Sequence, residues 1–182
     1  LFITGDNMKI NKYNITLNRL TKDKIEVLRQ WRNDPKIAKY MDYKEYITPE
    51  MQEAWFIKIN NQYNYYFIVS YKSKDIGLVN LKNIDYDKKN AEAGIFIYDD
   101  TYLNTDMAFR ITLCNFDFAF ENLNLDYLYG HVMANNKRAI RYNKMLGYKL
   151  AENQEGILKQ LYFLTKEDYL NNKSKIQAFL VK

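Results

Sequence analysis

The chain has 182 residues, 47% of them hydrophobic, with only 2 prolines and 6 glycines; this excludes a disordered or low-complexity protein and fits one core-forming unit. Its net charge of +5 comes from scattered Lys and Arg with no long basic block, so nucleic acid is not an expected partner, although an anionic substrate would be attracted. No apolar run approaches the roughly 18 residues of a membrane-spanning helix, and a lone Cys114 excludes an intrachain disulfide; together they suggest a soluble, cytoplasmic protein without a secretory pattern.

Residues 1–7 are set aside as an extraneous or disordered N-terminus, and the fold is sought in 8–182. Asn14–Leu20 alternates as a strand. Thr21 is expected to cap a helix carrying Ile25, Leu28 and Trp31 on one face, and Pro35 limits it. Thr48-Pro49-Glu50 combines a cap, proline at the first helical position and an acidic first turn, which predicts a helix to about Asn61. Tyr65–Tyr71 and Ile76–Ile84 read as a hairpin about Lys72–Asp75, and Asp85–Asn90 as the next turn. Ala91–Tyr98 is nearly all apolar and so central in a sheet. Met107, Ile111, Cys114 and Phe118 recur at helical spacing. Leu125–Met133 is a strand, Lys137–Leu146 a helix closed by Gly147, Lys159–Leu164 a strand and Lys166–Leu180 a polar helix, with an optional short strand at Tyr148–Glu152. This is a mixed α/β chain with a β-meander before its crossover helix.

The turn between the strand ending at Tyr98 and the helix from Met107 has a chemical consequence. The first amides of a helix have no internal acceptor, and the dipole behind them favours an anion, so such a turn binds a pyrophosphate without a cationic side chain. Two titratable groups stand on the strands flanking that helix. Glu92 interrupts an apolar strand, where it reads either as a general base or as a carboxylate paired to a Lys or Arg. His131, the only histidine, reads either as a packed residue or as a second candidate base.

Three phrases carry a family resemblance: Ala91-Glu92-Ala93-Gly94-Ile95 with Phe118–Leu125; Asn136-Lys137-Arg138-Ala139-Ile140 through Leu146-Gly147-Tyr148; and Trp31-Arg32-Asn33-Asp34-Pro35. The chain resembles the GNAT superfamily of acetyl-CoA-dependent N-acetyltransferases from Ile15 to about Leu164. The resemblance implies a mixed α/β GNAT fold: a mostly antiparallel, twisted sheet of about six or seven strands, helices on both faces, and a splay between the fourth and fifth strands. It implies acetyl-CoA as co-substrate, no metal, and direct attack of a primary amine on the thioester. Cofactor contacts fall on Ile97 and Tyr98, on the turn Leu103-Asn104-Thr105-Asp106-Met107-Ala108, on Arg110, and on Asn136 and Asn143.

Three positions depart from the family, the first being Leu103 where the phosphate turn usually has a polar residue. Asp106 stands where a glycine is usual, so its carboxylate either points away from the phosphates or impairs binding; Arg110 is a possible compensating charge or a solvent-facing residue. Asn143 stands where a proton-donating tyrosine is common. An amide donates a hydrogen bond but no proton, so Asn143 is assigned to the sulfur or pantetheine and the proton to water, while Tyr142 points about 100° away and reads as core.

The acceptor half is most similar to enzymes that acetylate a UDP-linked 4-amino sugar of the pseudaminic-acid pathway type, through Trp31–Asp34, Thr48-Pro49-Glu50 with Trp55-Phe56, and Asn80–Asp85. Arg32, Asn33, Trp55 and Asn80 are the acceptor candidates this implies; Arg32 alternatively pairs with Asp34 or Glu50. The expected partner is a small-molecule amine, with a UDP carrier as one option and with no nucleic acid or membrane, for a monomer or homodimer. Ribosomal-protein N-terminal or polyamine acetylation, and a non-catalytic CoA-binding module, stand as alternatives.

Overall fold

Strand parity decides which residues meet. In a computed structural model that describes residues 8–41 and 43–180, the fold is an eight-stranded sheet in the order β1-β2-β3-β4-β5-β6-β8-β7. The strands are β1 Lys9–Lys12, β2 Ile15–Arg19, β3 Tyr65–Tyr71, β4 Lys74–Asp85, β5 Asn90–Ile97, β6 Tyr127–Met133, β7 Lys149–Leu150 and β8 Lys159–Thr165. The helices are α1 Ile25–Asn33, α2 Pro35–Ala38, α3 Pro49–Ile59, α4 Met107–Asp117, α5 Lys137–Leu146 and α6 Lys166–Leu180. The expected segment 1–7 lies outside the described residues. No helix among the described residues is long and apolar enough to cross a membrane.

Neighbouring strands run antiparallel except β5 and β6, the fourth and fifth of the expected strands. These two run parallel and pair only over Asn90–Glu92 against Tyr127–Tyr129. Beyond Glu92 they part, which is the anticipated splay. Alternate side chains of β3 face opposite ways. Phe67 and Val69 join the large core under α4, while Tyr66 and Ile68 join a smaller cluster with Leu28, Trp31 and Phe56 of α1 and α3.

Several local expectations are corrected. The sheet gains β1, whose sequence Lys-Ile-Asn-Lys is too short and polar to announce a strand; it pairs with β2 across Tyr13 and Asn14, both at positive φ. Thr21 does not cap α1: its hydroxyl donates to Asp23 Oδ1 at 2.5 Å, a 3-10 turn occupies Lys22–Lys24, and α1 begins at Ile25. Pro35 opens α2, capped by Asp34, which accepts from the Lys36 amide. The optional strand after Tyr148 shrinks to Lys149–Leu150. Other signals hold: Thr48 accepts from the Met51 amide at 3.2 Å, and Gly147 ends α5 at φ 102°, a left-handed geometry costly to any residue with a Cβ.

α4 continues into a π turn at Phe118–Asn122, closed by the Leu123 amide on Phe118 O at 3.0 Å. At its junction Asp117 is buried and accepts hydrogen bonds from four side chains: Lys12, Tyr13 (2.6 Å), Tyr169 (2.6 Å) and Lys173 (2.5 Å). Burial alone would raise the Asp117 carboxyl, but these hydrogen bonds outweigh it and hold it below its ordinary value. One carboxylate thus ties the β1–β2 hairpin, α4 and α6 together.

Candidate active site

The donor side is built from main chain. The Tyr98 amide donates to Ile76 O on β4 at 2.8 Å, so by alternation the amides of Ile95 and Ile97 turn toward the side from which β6 has departed. In the following turn, Asp99 accepts from the Thr101 amide (3.1 Å) and hydroxyl (2.7 Å) and pairs with Lys74 at 2.6 Å. The Leu103 amide reaches Asp100 O, the Thr105 amide reaches Tyr102 O, and the Met107 amide reaches Thr105 Oγ1. Among the described residues, the amides of Asn104, Asp106, Ala108 and Phe109 meet no acceptor. These are four donors at the positive end of an 11-residue helix, the chemistry that suits a pyrophosphate.

Asp106 sits at φ −74°, an ordinary conformation that needs no glycine. Its carboxylate turns along the helix and accepts from Arg110 Nε (2.9 Å) and Nη2 (2.6 Å). That geometry neutralises the carboxylate and engages the guanidinium, which also donates to Tyr13 O at 3.2 Å. The (i, i+4) spacing of Asp106 and Arg110 was visible in the sequence.

Asn136 caps α5: its side-chain oxygen accepts from the Ala139 amide at 3.1 Å, which leaves its Nδ2 hydrogens available. Asn143 lies seven residues on, about two turns along the same face. Arg138, quoted in the motif but given no role there, donates through Nη2 to Leu103 O and so clips α5 to the donor turn. Tyr142 lies in the seam between α4 and α5; its hydroxyl donates to Ala108 O at 2.9 Å and shares a 2.5 Å hydrogen bond with Thr112 Oγ1. Burial pushes its phenol up, so it suits a packing role better than proton donation.

At the apex of the split, Glu92 faces Lys82 across the β4–β5 register and Tyr129 across β5–β6. Lys82 Nζ stands 3.2 Å from its carboxylate, Asn83 Nδ2 donates to it at 3.2 Å, and His131 Nδ1 is 3.7 Å away. Of the two readings left open in the sequence, the pairing of the carboxylate to a lysine is seen, and the two candidate bases are neighbours. The Glu92 side chain keeps 17% of its exposure and that of His131 33%, enough to meet a substrate.

The acceptor side lies on the same sheet face, under α1 and α3. Arg32 donates from Nη1 to Gln52 Oε1 at 3.2 Å and stacks over Trp55, 4.9 Å from the ring centroid. Trp55 meets Tyr66 edge-on at 5.0 Å, and Tyr66 pairs in register with Asn80. Arg32 makes no ion pair among the described residues. Asp34 is engaged by the Lys36 amide and by Tyr98 Oη at 3.1 Å, and Glu50 by Thr48 and its own backbone. Burial lowers the Arg32 pKa with no carboxylate to oppose it. The Tyr66 phenol is pushed up to about 12, first by burial, with Arg32 acting against that and Glu92 adding to it, so the ring feels both charges.

Asn33 is placed differently. It donates to Ile47 O at 2.9 Å and accepts from the Ile47 amide at 2.8 Å, so both ends of its amide hold the loop before α3. The Asn80 side chain lies over Gly94, 3.1 and 3.2 Å from where a Cβ would stand. Gln52 and Tyr66 had no place among the sequence candidates. The signal for Gln52 was its spacing, four residues before the buried Phe56.

A family model described as "Acetyltransferase (GNAT) domain" matches residues 14–149. The chain is 28% identical over 154 residues to a spermidine N(1)-acetyltransferase of Vibrio cholerae, covering 82% of this chain and 85% of that one. In fold it is similar to the spermidine N-acetyltransferase from Vibrio cholerae in complex with CoA and spermine, with TM-score 0.73, 24% identity, and coverage of 87% of this chain and 99% of that one. It is also similar to FdhC, a nucleotide-linked sugar GNAT, with TM-score 0.79, 22% identity, and coverage of 96% and 99%. With the split sheet and the amide-lined turn at the start of α4, the match places this chain in the GNAT acetyltransferase family, as an acetyl-CoA-dependent N-acetyltransferase.

Proposed function

We propose that the acceptor is the primary amine of a nucleotide-linked amino sugar. The observation that carries this reading is Arg32: a partly buried guanidinium on the acceptor face, stacked on Trp55 and without a carboxylate partner among the described residues. Such a group favours an oxygen-rich or anionic ligand and repels a polycation. When bound, acetyl-CoA supplies an activated acyl group, its diphosphate on the free amides at the start of α4 and its pantetheine arm beside Ile97, Asn136 and Asn143. The chain's own part is to remove the amine's proton and to hold the amine. Glu92 takes that proton, directly or through His131, as the nitrogen bonds to the acyl carbon. With Tyr142 bound into the α4–α5 seam, the departing thiolate is protonated by water.

The test is thiol release with a UDP-linked 4-amino-4,6-dideoxyhexose, spermidine and a ribosomal-protein N-terminal peptide. Release with the sugar at a kcat/KM well above the other two is expected. Release with spermidine or peptide alone removes the sugar reading.

Polyamine acetylation is the second reading. It is favoured by the 28% identity to a spermidine N(1)-acetyltransferase over most of both chains. On this reading Glu92 would bind an ammonium group, and Lys82 and Arg32 would oppose it.

A further inference from the structure

We infer that Gln52, with Asn80 and Tyr66, recognises a hydroxyl group on the acceptor and thereby selects a hydroxylated amine over an aliphatic polyamine. This rests on the amino-sugar reading above and adds to it the residue that enforces the choice.

Gln52 lies in the first turns of α3, 1% exposed, on the side that carries Phe56 against the sheet. Arg32 fixes its orientation: a guanidinium only donates, so the amide oxygen must face it and the Nε2 hydrogens must face elsewhere. Nε2 is buried and makes no hydrogen bond among the described residues. Four contacts away along Gln52–Arg32–Trp55–Tyr66–Asn80, on the same sheet face, is a second orphan, the buried Oδ1 of Asn80, also without a partner among the described residues. The hydroxyl of Tyr66, which pairs in register with Asn80, makes no hydrogen bond to a described residue and keeps access to solvent. Buried polar groups in native proteins are nearly always satisfied, so two unsatisfied ones on the acceptor face mark where ligand atoms complete the set.

The polarity of the orphans is informative. One is a donor and one is an acceptor, and the solvent-accessible phenol of Tyr66 beside Asn80 is either. A hydroxyl both accepts and donates, so sugar hydroxyls satisfy the Gln52 donor and the Asn80 acceptor together. An ammonium only donates: it leaves Gln52 unsatisfied and meets the positive charge of Arg32. Sites built to bond a hydroxyl reject the analogue lacking it strongly, because their own buried groups are then left unpaired.

The experiment compares the wild-type chain with Gln52→Leu and Gln52→Glu on three acceptors: a UDP-linked 4-amino-4,6-dideoxyhexose, its 3-deoxy analogue, and spermidine. Wild type is expected to prefer the hydroxylated sugar over the deoxy analogue by about tenfold or more in kcat/KM. Gln52→Leu is expected to erase that preference through KM, with acetyl-CoA affinity unchanged by calorimetry. Gln52→Glu places a carboxylate against Arg32 and is expected to lower sugar turnover while raising that of spermidine. Tyr66→Phe serves as the milder lesion if Gln52→Leu does not fold, with a smaller loss of the same preference expected.

If wild type acetylates the sugar and the variants keep its hydroxyl preference, the inference fails and the function stands. If wild type acetylates spermidine and not the sugar, both fail. If neither acceptor turns over, calorimetric titration of the UDP-sugar into the CoA-bound protein decides, and equal affinity for wild type and Gln52→Leu overturns the inference.

Discussion

Under α4 the sheet is covered by an unbroken run of buried residues, Ile111 to Phe120, whereas under α1 and α3 the covering layer is interrupted by the partly exposed Arg32; each layer holds one buried amide with an unsatisfied atom, Asn115 and Gln52. On the proposed function the first face would hold the donor through backbone amides, which any side chain can carry. The second would meet the acceptor through side chains, each replaceable by mutation. A divergent turn sequence on the donor side is therefore compatible with the family's cofactor chemistry, while acceptor choice is open to single substitutions. The contrast assigns different outcomes to lesions on the two faces: stability for the α4 face, turnover and selectivity for the other.

The largest expected effect is on the α4 face. Asp117→Ala leaves two lysines without their buried partner and is expected to cost about 3 kcal/mol, a fall in Tm of roughly 6–12 °C by calorimetry. The pH dependence has a definite sign. Because the folded carboxyl titrates below its unfolded value, its stabilisation is complete above the unfolded value of about 3.9 and is lost as pH falls through the folded one. Asp117→Asn should therefore flatten the acid limb of the Tm–pH curve, and an unchanged limb would show that the clasp contributes nothing. Next in size, Glu92→Gln is expected to lower kcat about 100-fold or more, with acetyl-CoA affinity unchanged and the rise of rate with pH weakened. A loss of Tm comparable to that of Asp117→Ala would instead make Glu92 structural and blur the distinction between the faces.

Smaller effects sharpen the boundary. Thr48→Ala removes the cap of α3, the roof of the acceptor face, and is expected to cost about 1 kcal/mol of stability in denaturant titration. Asp106→Asn frees Arg110 and removes a negative charge near the amide-lined turn, so CoA should bind about threefold tighter by calorimetry. Weaker binding would mean that the Asp106–Arg110 pair is what shapes the turn.

The donor half was the more legible. Its strand, turn, helix, strand and Asn-led helix follow from periodicity and capping, as Met107–Asp117 and Gly147 illustrate. The proximity of Glu92 and His131 was readable because both lie on strands flanking one crossover helix. The acceptor half was less legible because its contacts join α1, α3 and β3, which are separated by long stretches of sequence. Arg32 and Trp55 were named, but nothing local to Gln52 or Tyr66 indicated that they meet. Asn33 was drawn in by its motif, whereas its amide is bound to Ile47. The π turn at Phe118–Asn122 left no sequence signal either, since its apolar residues also fit an uninterrupted helix.

The clasp at Asp117 also bears on how the chain is made. Its four hydrogen-bond donors come from Lys12 and Tyr13 at one end of the described chain and from Tyr169 and Lys173 in α6 at the other. During synthesis the aspartate emerges with only half of its donors available, so the nascent polypeptide is expected to stay protease-sensitive until α6 clears the ribosomal tunnel. Completion of the clasp is then a late event, timed by translation of α6.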